Sequence, residues 1–218
     1  MNELIWTLTT WVLPLLLTVI LHEVAHGFIA LKLGDRTALT MGRLTLNPKS
    51  HIDPVGSLLV PGVLLALGSH FLIGWAKPVP VDYRNLKNPK RDMGLVAAAG
   101  PAANLLLAIV FVLLAHVFIY LPDTLLKTWL FANLNNGIAL SLVLCIFNLL
   151  PVLPLDGGRI LESVLPLKYA IKYRETERYG FFILLGILFV LPAIGIDIIR
   201  WFINTLYPFF LSILQLFM

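Results

Sequence analysis

Leu21-His22-Glu23-Val24-Ala25-His26-Gly27 lies inside an apolar run that starts at Leu4 and ends at Lys32. A bilayer is crossed by about 20 predominantly apolar residues in a helix, so the run is long enough to span. Helical periodicity then decides how the seven residues are read. His22 and His26 are four apart and share one face, so their Nε2 atoms can converge on one metal ion, whereas Glu23 lies about 100° round and can reach a metal-bound water. This is the H-E-x-x-H zinc spacing. His22 stands ten residues before Lys32, or roughly 15 Å into the span at 1.5 Å per residue. Ionisable groups at that depth are costly and mark functional sites. With five His and five Glu in 218 residues, chance would produce the pattern about 0.003 times, so a pair of merely packed histidines is a poor explanation.

Outward from this stretch, the composition agrees. Hydrophobic residues make up 59% of the chain and charged residues 13%, against roughly 25% charged in a soluble domain. A soluble enzyme is excluded. The net charge of +4 does not point to nucleic acid, because the basic residues lie between apolar runs and not on a polar surface of their own. Cys145 is the single cysteine, which rules out a disulfide framework and the cysteine-rich zinc patterns. Glu3 stands where a cleavable signal would carry basic residues, so we expect the first span to stay in the membrane.

Residues 4–31, about 92–120 and about 130–155 read as three spans, 179–196 as a fourth, and 201–218 as a fifth or an interfacial helix. Aromatic residues such as Trp6, Trp129, Tyr179 and Trp201 fall near the expected ends. Of the sixteen Lys and Arg residues, four lie in 32–54, five in 74–92 and five in 159–178. The positive-inside rule makes all three stretches cytoplasmic and puts Met1 outside. The apolar run 55–73 has basic flanks on both sides, so we expect a re-entrant hairpin bent near Pro61 and Gly62. Ala38–Leu46 and Pro78-Val79-Pro80-Val81 suggest a small β segment near the cytoplasmic face. The fold class is therefore an all-α polytopic membrane protein with a re-entrant hairpin and a small β segment, and no internal repeat divides it.

A catalytic zinc site has three protein ligands and one open position, so a third ligand is needed. Asn148-Leu-Leu-Pro151-Val-Leu-Pro154-Leu-Asp156-Gly157-Gly158-Arg159 breaks the membrane pattern near the end of the third span. Its prolines interrupt the helical ladder and its glycines let the backbone turn, so an unwound segment can present Asp156 sideways. Taken alone, Asp156 could equally cap a helix running from Gly157 toward Leu165. Beside two histidines, the ligand reading is preferred.

The two motifs, His22-Glu23-x-x-His26 and Leu155-Asp156-Gly157, resemble those of the site-2 protease family of intramembrane zinc metalloproteases. The resemblance extends to Gly100-Pro101-x-x-Asn104 and to Asn148, so it covers about residues 15–165. It implies a single membrane-embedded metalloprotease domain over 1–218, with a three-helix core and C-terminal helices at about 179–218. It also implies one Zn2+ per chain on His22, His26 and Asp156, Glu23 as general base, and Asn148 as an oxyanion-stabilising or substrate-binding side chain. Asn104 joins it as a substrate-binding residue. Many members carry a further span before the zinc helix or an appended soluble domain; we expect a compact form with neither.

The implied reaction is hydrolysis of peptide bonds within or beside membrane spans. A zinc-bound water has its pKa lowered to roughly 7; Glu23 would take the proton and pass it to the leaving amine. Substrates would be single-span proteins reached through the bilayer, unwound before cleavage and added as a strand to the β segment. The enzyme would sit in the plasma (inner) membrane with its site opening toward the cytoplasm. The alternative is a transporter or channel that binds a metal ion or proton at His22, Glu23 and His26. Against it, Glu23 directly after His22 serves no transport purpose. A dead scaffold ranks last, because every motif position is intact. His51 and Asp53 lie in a turn-rich stretch and are read as loop residues that could line an entrance. His70 and His116 are read as interfacial or packing residues.

Overall fold

The computed structural model describes residues 2–66 and 74–218, the side chains of 61, 64 and 65 excepted. Six helices organise it. They are α1 (Glu3–Lys32), α2 (Pro89–Phe118), α3 (Leu125–Asn148), α4 (Asp156–Val164), α5 (Leu167–Ala193) and α6 (Ile198–Gln215). Among the described residues, α1, α2, α3 and α5 are long and apolar enough to cross a membrane, with 30, 30, 24 and 27 residues. α5 is not uniform: it passes through a 3₁₀ stretch at Glu175–Tyr179 and a π stretch at Gly186–Val190.

α1, α2 and α3 pack on one another and α4 packs on α2. Their interfaces combine apolar clusters with small and polar residues, as expected where lipid offers no hydrophobic drive between helices. Ala108 and Val112 of α2 meet Leu142, Cys145 and Ile146 of α3, and Phe210 and Leu214 of α6 close that cluster. Leu107, Phe111 and Leu134 form a second, against which Leu21 packs. Thr18 and Ser141 share a buried hydrogen bond of 3.2 Å between α1 and α3, and Asn136 Nδ2 donates to Thr10 O at 2.9 Å. Each such bond contributes about 0.6 kcal/mol. Leu13, Leu16, Leu106, Leu113 and Val117 are exposed on the outer faces, where a bilayer would cover them.

Several expectations need correcting. The third helix ends at Asn148 and not near 155. The fourth span begins at Leu167, because Lys168, Lys172 and Arg174 lie on its first turns and not in a loop before it. α6 falls outside the set long and apolar enough to cross.

No strand occurs among the described residues, so the β segment is not formed. Thr37–Thr40 is a helical turn, and 74–82 is irregular. The cause is visible in the donors. Pro78 and Pro80 have no N–H, while those of Lys77 and Val79 are already taken, by His51 O at 2.9 Å and by Glu23 Oε2 at 2.7 Å. Strand addition of a substrate falls with it.

The expected hairpin bend at Pro61 and Gly62 is not observed either. A π turn at Pro54–Leu59 runs directly into the helix Val60–Ala66. Pro61 is the second residue of that helix, just after the junction with the π turn, and the chain continues helical through it. Residues 67–73, and with them the return of the segment and His70, lie outside the described residues.

Past this segment the chain is pinned as a strap across the end of the bundle. Trp75 N donates to Gly56 O at 3.2 Å, and Arg43 Nη2 donates to Lys77 O at 2.7 Å. Further on, Asp82 N donates to Asp35 Oδ2 at 2.8 Å. Asp35 is fully buried. Burial raises its pKa, but donors from Thr37, Asn85 and the Asp82 backbone outweigh that and hold it below the ordinary carboxylate value. Below the strap, Arg159 and Arg174 stack over the Tyr83 ring and pair with buried Glu162. These bonds gather 33–54, 75–91 and 156–178 at one end of the bundle.

Candidate metal centre

His22 and His26 face α2 and α4 from the inner side of α1, with their Nε2 atoms 3.0 Å apart. Asp156 is the first residue of α4. Its Oδ2 lies 3.2 Å from His22 Nε2 and its Oδ1 lies 3.4 Å from His26 Nε2. One ligand atom from each of the three residues falls within 4.8 Å of the others. Asp156 does not cap α4, because its carboxylate turns to the imidazoles.

The sequence around Asp156 explains that direction. α3 stops at Asn148 and 149–155 is non-helical. Gly157 then lies against the backbone of Leu149 and Leu150, and a Cβ on Gly158 would be 2.6 Å from Leu153 N. Without side chains at both positions, α4 folds tightly back on the turn and brings its N-terminus to α1.

α2 shapes the other wall. A Cβ on Gly100 would be 2.5 Å from His26 Nε2, so only glycine lets α2 approach the imidazoles this closely. One turn earlier, Val96 O lies 2.8 Å from His26 Nδ1. A carbonyl can only accept, so Nδ1 carries a proton, and a ring with no second proton offers its Nε2 lone pair to the centre. One turn later, Asn104 Nδ2 lies 3.2 Å from His22 Nδ1.

These residues fit a zinc ion. Asp156 Oδ2 is buried and lacks a hydrogen-bond donor despite its closeness to His22. Two imidazoles and a carboxylate around one point leave a fourth position open, the arrangement of catalytic zinc sites. Glu23 is half-buried beside them and accepts from Val79 N at 2.7 Å through Oε2.

The remaining candidates are distributed as follows. Asn148 is the last residue of α3 and donates to Leu144 O at 3.0 Å. Asn104 is fully buried against His22 and exposes no surface to a substrate. His51 is buried, with Nε2 2.8 Å from Thr45 O, and Asp53 caps the helical segment that starts at Pro54. His116 links Val112 O to Met218 O, far from the centre along α2. Sequence reading missed the Val96 carbonyl, the Val79 amide and Gly100 as a contact. Only Gly100 carried a signal, one turn ahead of Asn104 in the same motif.

A profile of peptidase family M50 matches residues 118–191. YwhC of Bacillus subtilis is 43% identical over 184 residues, which are 83% of this chain and 80% of that protein. The chain belongs to peptidase family M50. Rip2 of Mycolicibacterium smegmatis is 33% identical over 201 residues, 89% of this chain and 70% of its own length. The names of both class them provisionally as zinc metalloproteases. Zinc metalloprotease MJ0392 of Methanocaldococcus jannaschii is 27% identical over 169 residues, 78% of this chain and 38% of that protein. No solved structure matches the chain. M50 membership agrees with the site-2 protease resemblance, and these likenesses lend the transporter alternative no support.

Proposed function

We propose that this M50 chain is an intramembrane zinc-dependent endopeptidase that hydrolyses bonds within or beside the spans of single-span membrane proteins. The observation that carries this reading is the convergence of His22, His26 and Asp156 inside a membrane-length helix bundle. In this reading the chain is one catalytic domain over 1–218. His22, His26 and Asp156 hold one zinc ion, which when bound supplies a Lewis acid and an acidified water.

The chain's own groups do the rest. Glu23 takes the proton of the attacking water and delivers it to the leaving amine. The Val79 N–H on Oε2 fixes the carboxylate and leaves Oε1 to carry the proton. Asn148 donates to the developing oxyanion after its amide turns from Leu144 O.

Topology follows the charge pattern. The stretches 32–54, 74–92 and 159–178 are cytoplasmic, Met1 is outside, and the membrane is the plasma (inner) membrane, so water enters from the cytoplasm. In support, hydrogen bonds join segments of the first two stretches, and Lys90 Nζ of the second donates to Leu165 O of the third, at one end of the bundle. The site lies about 15 Å deeper along α1.

The test is cleavage of a purified single-span substrate in lipid vesicles. Cleavage should map within or beside the span, stop on zinc chelation and return on zinc addition. Gly, Asn or Pro near the cleaved bond lowers the unwinding cost by about 1 kcal/mol for Gly, so replacing it by Leu should slow cleavage by about fivefold. Cleavage that ignores chelation would overturn the zinc assignment. Rates unchanged by Leu would overturn the unwinding step.

A further inference from the structure

We propose that Asn104 is a positioning residue: in the zinc-loaded site its Oδ1 accepts a hydrogen bond from His22 Nδ1–H and so fixes the tautomer that turns the Nε2 lone pair to the metal. This rests on the zinc reading above and adds to it. A ligating imidazole must present an unprotonated nitrogen, and the proton on the other ring nitrogen then needs an acceptor. His26 has one in the Val96 carbonyl, 2.8 Å from Nδ1. For His22, the group at Nδ1 is the Asn104 amide at 3.2 Å.

The amide can serve both states of the site. With Nδ2 toward His22, Asn104 donates to Nδ1, the ring proton sits on Nε2, and that N–H can reach His26 Nε2 at 3.0 Å. That tautomer closes a metal-free network but blocks a ligand position. Half a turn of the amide puts Oδ1 on Nδ1, moves the proton there and frees both Nε2 lone pairs. Oδ1 of Asn104 is buried without a partner, an acceptor held one turn from Gly100 against the ring it would serve. The side chain is fully buried, so it acts on His22 and not on substrate. A carbonyl such as Val96 O can only accept; an amide can follow the ring through both tautomers.

Two substitutions separate this role from simple packing. Asp at 104 keeps the acceptor and removes the donor, whereas Leu keeps the volume and removes both. Zinc affinity is measured by chelator competition on purified full chains in detergent. Asn104→Leu should weaken zinc binding by about 10- to 100-fold, while Asn104→Asp should bind zinc at least as tightly as the native chain. Equal weakening by Asp and Leu in chains of unchanged melting temperature, or native affinity in Asn104→Leu, would overturn the proposal. The 15N spectrum of histidine-labelled native protein loaded with zinc requires no substitution. Protonated Nδ1 on His22 is expected, and protonated Nε2 would contradict it. If native protein and Asp156→Ala bind zinc equally poorly, the underlying zinc assignment fails instead, a different outcome from either result at Asn104.

Discussion

Glu23→Gln should abolish peptide hydrolysis while zinc content stays at the native level. The substitution keeps length and shape, and the Gln carbonyl can still accept from Val79 N, which in the native chain lies 2.7 Å from Oε2. What it loses is basicity. General acid–base catalysis contributes about 10²- to 10⁴-fold, and here one group takes the proton and returns it, so the loss should fall at the upper end. Cleavage of a single-span substrate in vesicles, with metal analysis of the same preparation, measures both halves. Near-native cleavage would remove Glu23 from the mechanism. Zinc loss would make it a ligand.

Asp156→Ala should empty the site. Its carboxylate comes from a helix 130 positions after His26 and faces both Nε2 atoms at 3.2 and 3.4 Å. Removing it leaves two imidazoles, one fewer than the three protein ligands of a catalytic zinc. The helix itself should survive, because Asp156 accepts no capping bond from α4 and the turn is held by Gly157 and Gly158. Zinc content and cleavage should therefore vanish together in a chain of near-native helicity. Full zinc retention would mean that Asp156 faces the histidines without holding the ion.

How much of this was legible in the sequence depends on where the information resides. His22 and His26 were legible because four residues on one helix fix their relation, and Asp156 because Pro and Gly interrupt an apolar run just where the chain must turn. The first three spans were legible from length. The start of α5 was not, because Lys168, Lys172 and Arg174 look like a loop yet sit on a helix end, where long basic side chains can reach outward. Pro78-Val79-Pro80-Val81 mimicked a strand through its alternation. The misreading arose because alternation says nothing about hydrogen-bond donors: Pro78 and Pro80 have none, Val79 N is taken by Glu23, and the preceding Lys77 N is taken by His51 O. Pro61 suggested a bend, and the helical path instead continues through it. The Val96 carbonyl and the Val79 amide were invisible in principle, since every residue carries such groups and only the fold selects these two.

The zinc content of the purified native chain tests the central claim most directly. Elemental analysis of protein extracted in detergent, without added metal, should find one zinc ion per chain. Protein that hydrolyses a membrane-spanning substrate at full rate with no zinc bound would contradict the account.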